Sequence, residues 1–312
     1  MTDQAEQPLG HYYGSGKLLL AGEYFVLDGA TAFSLPTQLG QSLTVFSGSE
    51  TDTLLWQSLD HAAKTWLEVR FRLPALDIIK TTDEGMAQRL QAMLLAARRQ
   101  NPSFLIAEES LLVQTRLEFD RSWGLGSSST LLHLIGQWSQ ADPFQISDAT
   151  LGGSGYDIAT AGAKDAIWYR RKPTRWFRGT TWNPTFQDQL FFVYLNQKMN
   201  SREGIRHYRQ QVQDHPEWIT ESDQCIRAMV EAPDLAAFEK AVQEHEAFTG
   251  QALQMQPVHE RLFADYWGTV KSLGAWGGDF VLVTSRETPA KTQAYFNDRG
   301  FEVFFPYKDL IK

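Results

Sequence analysis

Three kinds of group that together could move a phosphoryl group stand in the first half of the chain. Residues 122–129 read Ser-Trp-Gly-Leu-Gly-Ser-Ser-Ser and run directly into TLLHLIGQW, a glycine-serine loop opening onto a helical pattern. Such a junction suits an anion. Gly124 and Gly126 reach conformations closed to other residues, while Ser127, Ser128 and Ser129 set hydroxyls beside first-turn N–H groups, where the helix dipole favours negative charge. One lysine, Lys17, lies in Gly14-Ser-Gly-Lys-Leu-Leu-Leu-Ala-Gly-Glu-Tyr-Phe-Val-Leu-Asp-Gly29, ahead of an apolar strand and a glycine turn. One aspartate, Asp157, follows three glycines in Gly152-Gly-Ser-Gly-Tyr-Asp-Ile-Ala159 and begins a small-residue helix. Phosphoryl transfer to an alcohol uses these parts: N–H groups and hydroxyls that hold nucleotide phosphates with Mg²⁺, a cation that offsets developing charge, and a carboxylate that takes the acceptor's proton.

Each part also has an ordinary structural reading. A glycine-serine-helix junction occurs as a plain turn with an N-cap, and Asp157 could cap a helix after a glycine turn. Lys17 could be a solvated strand-edge lysine. Glu23 and Tyr24 read as shaping a turn and a core. Asn200 and Glu203 have capping-box spacing, while Ser201 and Arg202 at the same helix start could face an anionic substrate. His207, His245 and His259 read as surface or packing residues, and the ten tryptophans as core and subunit-contact groups. Competing chemistries fail on spacing. His11 stands where a Walker A loop ending at Gly16-Lys17 needs its first glycine, no HRD or DFG set occurs, and Tyr156 replaces the last glycine of a nucleophile elbow around Ser154. His245-Glu246 and His259-Glu260 lack the second histidine of a zincin.

The elements that must position these residues alternate in type. Residues 11–46 and 53–73 read as short strands punctuated by glycine and proline, 84–99 as an amphipathic helix ending on arginines, and 110–119 as the strand that enters the loop. The basic, aromatic, proline-broken segment 166–186 reads as a crossover between two halves. Beyond it come a strand at 190–195, helices between about 200 and 270, a strand at 280–285, a helix at 287–298 and a terminal strand FEVFF. The plan is α+β in two domains, 1–180 and 181–312.

With 312 residues, 43% hydrophobic and 12% aromatic, the chain can bury a substantial core. A net charge of −8 argues against nucleic acid as a partner. The single cysteine, Cys225, leaves no intramolecular disulfide and no CxxC metal site. No stretch approaches 18 uninterrupted apolar residues and the start lacks a signal-peptide pattern, so the expectation is a cytoplasmic protein away from membranes.

Taken in order, GKLLLAGEYFVLDG, GLGSSST and GGSGYDIA resemble the small-molecule kinases of the GHMP superfamily, with weaker echoes at NSREGI (200–205) and LGAWGGDFVLVTS (273–285). The resemblance implies a two-domain GHMP-kinase-like fold with the active site between the domains, and ATP and Mg²⁺ as cofactors. It implies that Gly124, Leu125, Gly126, Ser127, Ser128 and Ser129 cradle the phosphates and that Ser128 touches the metal. Asp157 would be the catalytic base, with Lys17 near it; Ser154, Gly155, Tyr156, Ser201 and Arg202 would meet the acceptor. GEYFVLDG and GSGYDIA look closer to phosphomevalonate kinase than to mevalonate kinase, which makes a small acidic alcohol or phosphate the expected acceptor and a monomer or homodimer the expected state. Two departures stand out. The late glycine segment reads Gly274-Ala-Trp-Gly-Gly-Asp279 with Trp276 inside it, and no glutamate can be named as a Mg²⁺ ligand. A diphosphomevalonate decarboxylase-like lyase and a non-catalytic binding protein are the alternatives on the same scaffold.

Overall fold

Glycine and proline do not fragment the first strands. The computed structural model describes residues 7–106, 110–197, 201–211, 216–276 and 278–312, and in it residues 10–47 form two long paired strands, β1 (Gly10–Ala21) and β2 (Thr31–Ser47). The expectation of short strands there fails because Gly40 serves close approach rather than a turn: a side chain at that position would run into the Gly14 carbonyl and the Tyr13 ring.

The chain folds into two compact units. The first contains Met1–Gly16, Leu39–Arg121 and Gly126–Gly162; the second contains Lys17–Gln38, Ser122–Leu125 and Ala163–Lys312.

In the first unit, β3 (Thr53–Leu59), β4 (Thr65–Arg72), β5 (Asp77–Thr81) and β6 (Leu111–Leu117) form a sheet with the C-terminal half of β2, in the order β5-β4-β3-β6-β2. The β3–β6 pair is parallel and the β2–β6 pair antiparallel. Strand alternation decides the buried face: Leu111, Val113, Thr115 and Leu117 are buried and their neighbours are not. Helix α1 (Glu84–Gln100) is capped by Asp83, whose side chain accepts from Met86 N–H, and lays Leu90, Met93, Leu94 and Ala97 into the core. Helices α2 (Ser127–Ser139) and α3 (Pro143–Thr150) pack beside it, and α4 (Tyr156–Ala161) packs against α2. Trp56, Phe71, Leu94 and Ile135 meet at the centre with no exposed surface, each such side chain contributing about 1.5–3 kcal/mol of burial.

In the second unit, residues 166–186 are not a crossover but carry a hairpin, β7 (Ile167–Arg170) and β8 (Trp176–Gly179), whose first strand pairs with the N-terminal half of β2. Ile167 and Tyr169 alternate into the interior, so the aromatic residues follow a strand period that the prolines obscured. A second, antiparallel sheet has the order β10-β11-β9-β12, built from β9 (Leu190–Tyr194), β10 (Val270–Ser272), β11 (Phe280–Thr284) and β12 (Phe304–Pro306). LFFVY and FVLVT are buried at every residue, which explains their unbroken apolar runs. The terminal strand begins three residues later than FEVFF suggested, because Phe301 turns aside to pack on Phe263. Helices α5 (Ser201–Gln211), α6 (Pro216–Val230), α7 (Leu235–Leu253), α8 (Val258–Leu262), α9 (Pro289–Asn297) and α10 (Tyr307–Leu310) complete the unit. Among the described residues no helix is long and apolar enough to cross a membrane.

Candidate active site

The glycine-serine segment divides between the units at the Leu125–Gly126 bond. In the second unit, Trp123 lies with its ring centroid 5.5 Å from Phe305, 6.1 Å from Phe280 and 6.5 Å from Tyr194. The Tyr194 hydroxyl donates to the Ser122 carbonyl at 3.0 Å. Leu125 is fully buried and its carbonyl accepts from the Lys17 N–H at 3.0 Å, so the loop is tied to the strand that carries the lysine. Lys17 itself is half-buried between the buried Gly16 and Leu18. Gly124 takes φ +69 and borders Asp279: a Cβ built there would sit 2.5 Å from the carboxylate carbon. Only glycine fits that approach.

In the first unit, α2 starts on Gly126 at φ 90, in the left-handed region, and no side chain caps it. The reading of this junction as a serine-capped turn therefore does not describe it. Ser129 is buried and donates back to the Gly126 carbonyl at 2.8 Å, and Thr130 donates to Gln41 Oε1 at 2.5 Å. Ser128 is exposed and Ser127 half-buried. The serines thus split by task, with Ser129 bracing the turn and Ser127 and Ser128 facing outward at a helix start that favours anions.

The second glycine-led helix of this unit repeats the geometry. Helix α4 starts on Gly155 at φ 88, again without a side-chain cap, and packs against α2. Asp157 is its second residue rather than its N-cap; its Oδ1 accepts from Ile158 N–H at 3.0 Å. Gly152 and Gly153, at φ +68 and +104, have open space where a side chain would project. Ser154 and Tyr156 are half-buried and Gly155 buried. Ser201 and Arg202 open α5, and their side chains lie outside the described residues, as does Asn200.

The late glycine segment does not use Trp276 against a ligand. That ring is buried with Phe25, Leu27, Tyr208 and Phe248, and the Trp276 backbone N–H donates to the Tyr24 hydroxyl at 3.2 Å. Tyr24 stacks on Tyr208 at 5.6 Å. Glu23 and Tyr24 shape turn and core, as their sequence context suggested.

Sequence reasoning missed a sealed charge cluster behind that turn. Lys271 Nζ donates to Glu23 Oε1 at 2.8 Å and to the Ser272 carbonyl at 2.9 Å, and stands 3.6 Å from Glu246 Oε1. His245 Nε2 is 3.3 Å from Glu23 Oε2, and Ser272 N–H donates to Glu246 Oε2 at 3.2 Å. Burial pushes Glu23 upward, but Lys271 and His245 outweigh it and hold the carboxyl at about 2. Burial dominates at Glu246 and lifts it to about 7, while burial and Lys271 together lower His245. His245 is therefore a charge-cluster member rather than a plain packing residue. The only sequence signal was that two polar residues, His245 and Glu246, fall on the buried stripe of α7.

Among the described residues, no group of three or more His, Cys, Asp or Glu side chains could hold a metal by itself. A Mg²⁺ that travels with nucleotide phosphates needs few protein ligands and keeps several waters. The exposed Ser128 hydroxyl, at an uncapped helix start, fits that requirement.

No family model matches the chain, and no curated protein matches it by sequence. Solved structures do match its fold. Methanococcus jannaschii mevalonate kinase superposes with a TM-score of 0.73 at 15% identity, covering 97% of this chain and 98% of that one. Streptococcus pneumoniae phosphomevalonate kinase, in complex with phosphomevalonate and AMPPNP, gives 0.70 at 16% identity over 95% and 99%. Lactococcus lactis galactokinase complexed with galactose gives 0.69 at 13% identity over 97% and 93%. The chain has the fold of these small-molecule kinases, the fold that its three sequence segments implied.

Proposed function

We propose that the protein is an ATP-dependent small-molecule kinase of the GHMP type that transfers the γ-phosphoryl group to an alcohol or phosphate acceptor. The observation that carries this reading is the start of α2: a left-handed glycine, no capping side chain, and outward-facing Ser127 and Ser128. Such an open terminus costs a helix only a few tenths of a kcal/mol relative to a capped one, and it suits a polyphosphate. Gly124 to Ser129 would hold the phosphates, with Ser128 toward the metal. The metal, when bound, neutralises charge on the transferring group. Asp157 would accept the acceptor's hydroxyl proton, held at a helix start by its contact with Ile158 N–H. Lys17 would offset negative charge developing at the transfer.

For the acceptor, the GEY and GSGYD segments favour phosphomevalonate or mevalonate, with Ser154, Gly155, Tyr156, Ser201 and Arg202 on the acceptor side. The test is ADP release from the purified protein with mevalonate, phosphomevalonate, diphosphomevalonate, homoserine and galactose, with product masses recorded. A phosphorylated product from a mevalonate-type acceptor is expected. Carbon dioxide release from diphosphomevalonate would make it a lyase instead, and no turnover with any of them would overturn the kinase reading.

A further inference from the structure

A cavity in the first unit belongs to none of the groups assigned above. It measures about 320 Å³, a volume within the range of small-molecule sites, and its lining includes Leu9 and Ile106, which are 63% and 52% exposed. Trp138, also in the lining, is the next-to-last residue of α2 and stands about 16 Å along the helix from Ser127. The cavity and the glycine start thus lie at opposite ends of one helix.

The walls are tied down. Arg98 on α1 donates to the Phe104 carbonyl at 2.9 Å, to the Leu105 carbonyl at 2.7 Å and to the Pro74 carbonyl, and the Asn101 amide donates to the Ser139 carbonyl at 2.8 Å. Leu105 is held at φ 57, a left-handed conformation that leucine rarely adopts and that persists only where the surroundings over-determine it. Phe104 meets Trp138 in a T-shaped contact at 4.8 Å. The loop after α1 is therefore fixed around the cavity instead of folding into it.

The lining also states a chemistry. Tyr12, Phe104 and Trp138 supply aromatic surface, and among the described residues no charged side chain lines the cavity. Two donors remain unspent: among the described residues, neither the Trp138 indole N–H nor the Tyr12 hydroxyl makes a hydrogen bond. An ion would lose its hydration here without a counter-charge, whereas a flat neutral molecule covers the exposed apolar side chains and can accept from either donor. We propose that this cavity binds an uncharged aromatic molecule bearing a hydrogen-bond acceptor, at the same time as the start of α2 holds its own ligand. The inference does not depend on the kinase reading.

The experiment is an NMR titration of the ¹⁵N-labelled full chain with quinoline, which is neutral and carries a ring acceptor, and with N-methylquinolinium, its charged twin without one. The signal lost in Trp138→Phe assigns the Trp138 indole N–H. Quinoline should shift that signal saturably with a Kd below about 1 mM, equally with and without saturating Mg-ATP. The charged twin should bind at least about tenfold more weakly. Trp138→Phe, which keeps an aromatic ring, should weaken quinoline about two- to tenfold, read from the neighbouring amides. Gly10→Leu should abolish binding, because a Cβ there already meets the Tyr12 ring and hydroxyl at 3.1 Å; should that variant fail to fold, Trp138→Phe carries the test. No saturable shift, equal affinity for the two probes, or displacement of quinoline by Mg-ATP overturns the proposal. Failure of Mg-ATP itself to bind counts against the kinase reading alone, while the quinoline titration still decides this one.

Discussion

The start of α2 and the Glu23–Lys271 cluster both gather polar groups, and they leave them in opposite conditions. At α2 the helix is uncapped and Ser128 is exposed, so hydrogen-bonding capacity faces outward. Around Lys271 the charges are sealed and spent on one another, with Glu23 and Lys271 fully buried and paired at 2.8 Å. Groups that do chemistry on a ligand keep unspent capacity at an accessible place, whereas buried charges must be paired where they stand. Density of charge alone would point to the Lys271 cluster and not to the site proposed at α2.

The largest expected effect tests whether α4 belongs with the open class. Asp157→Asn should lower kcat by roughly 10²–10⁴-fold and leave nucleotide affinity within about threefold, since the group acts on the acceptor proton. Steady-state kinetics with near-normal turnover would remove Asp157 from the site. The sealed class is tested by Lys271→Met, which should cost about 3–5 kcal/mol in urea unfolding by leaving Glu23 as an unpaired buried charge. Adding Glu23→Gln should restore much of that loss. A cost under about 1 kcal/mol for the single variant would mean that solvent reaches the cluster and the contrast collapses.

Within the serine row the same contrast recurs on a smaller scale. Ser128→Ala should weaken Mg-ATP binding about two- to tenfold at unchanged melting temperature, while Ser129→Ala should lower stability by about 0.5–1.5 kcal/mol, because the buried Ser129 hydroxyl donates to the Gly126 carbonyl. Identical behaviour of the two variants would contradict their division of labour.

The smallest effect is in pH. Glu246 is raised to about 7, so it contributes stability that is fully present below its unfolded value and lost as pH rises through 7. His245 is lowered, so its penalty at acid pH disappears as pH rises toward its unfolded value. Between the unfolded values of the two groups, about pH 4.5 to 6.5, folding favours the proton on Glu246 and disfavours it on His245, so the two slopes oppose each other. Glu23, held at about 2, titrates below this window. Glu246→Gln should therefore unmask the histidine: relative to wild type, its stability should climb with pH across this range by up to about 1.4 kcal/mol per unit. Parallel profiles for the two proteins would show that the pair does not exchange its proton on folding.

Local chemistry was legible in the sequence where it depends on neighbours in the chain. The glycine-serine junction, helix α1 with its arginine end, and the buried strands β9 and β11 follow from spacing and composition within one element. What escaped depends on partners far away. Nothing near Trp276 announces that its ring packs with Phe25 and Tyr208 rather than facing a phosphate. Gly40 looked like a strand breaker because the groups it makes room for, Gly14 and Tyr13, come from another strand. Asp279 read as the end of a glycine run, and nothing in its own segment says that its carboxylate borders Gly124.

The bond between Glu23 and Lys271 spans 248 residues of sequence. A ribosome releases the glutamate early and the lysine near the end, so for most of synthesis the chain carries a carboxylate whose place in the core does not yet exist. Contacts of such separation form late and slow folding. The first unit has all its residues once Gly162 has emerged, whereas the second waits for its last strands while segment 17–38 is held in suspense. Nascent chains stalled before residue 271 should therefore be protected from protease at β3 and β6 and cut readily around residues 22–29, and that cleavage should cease once Lys271 leaves the tunnel.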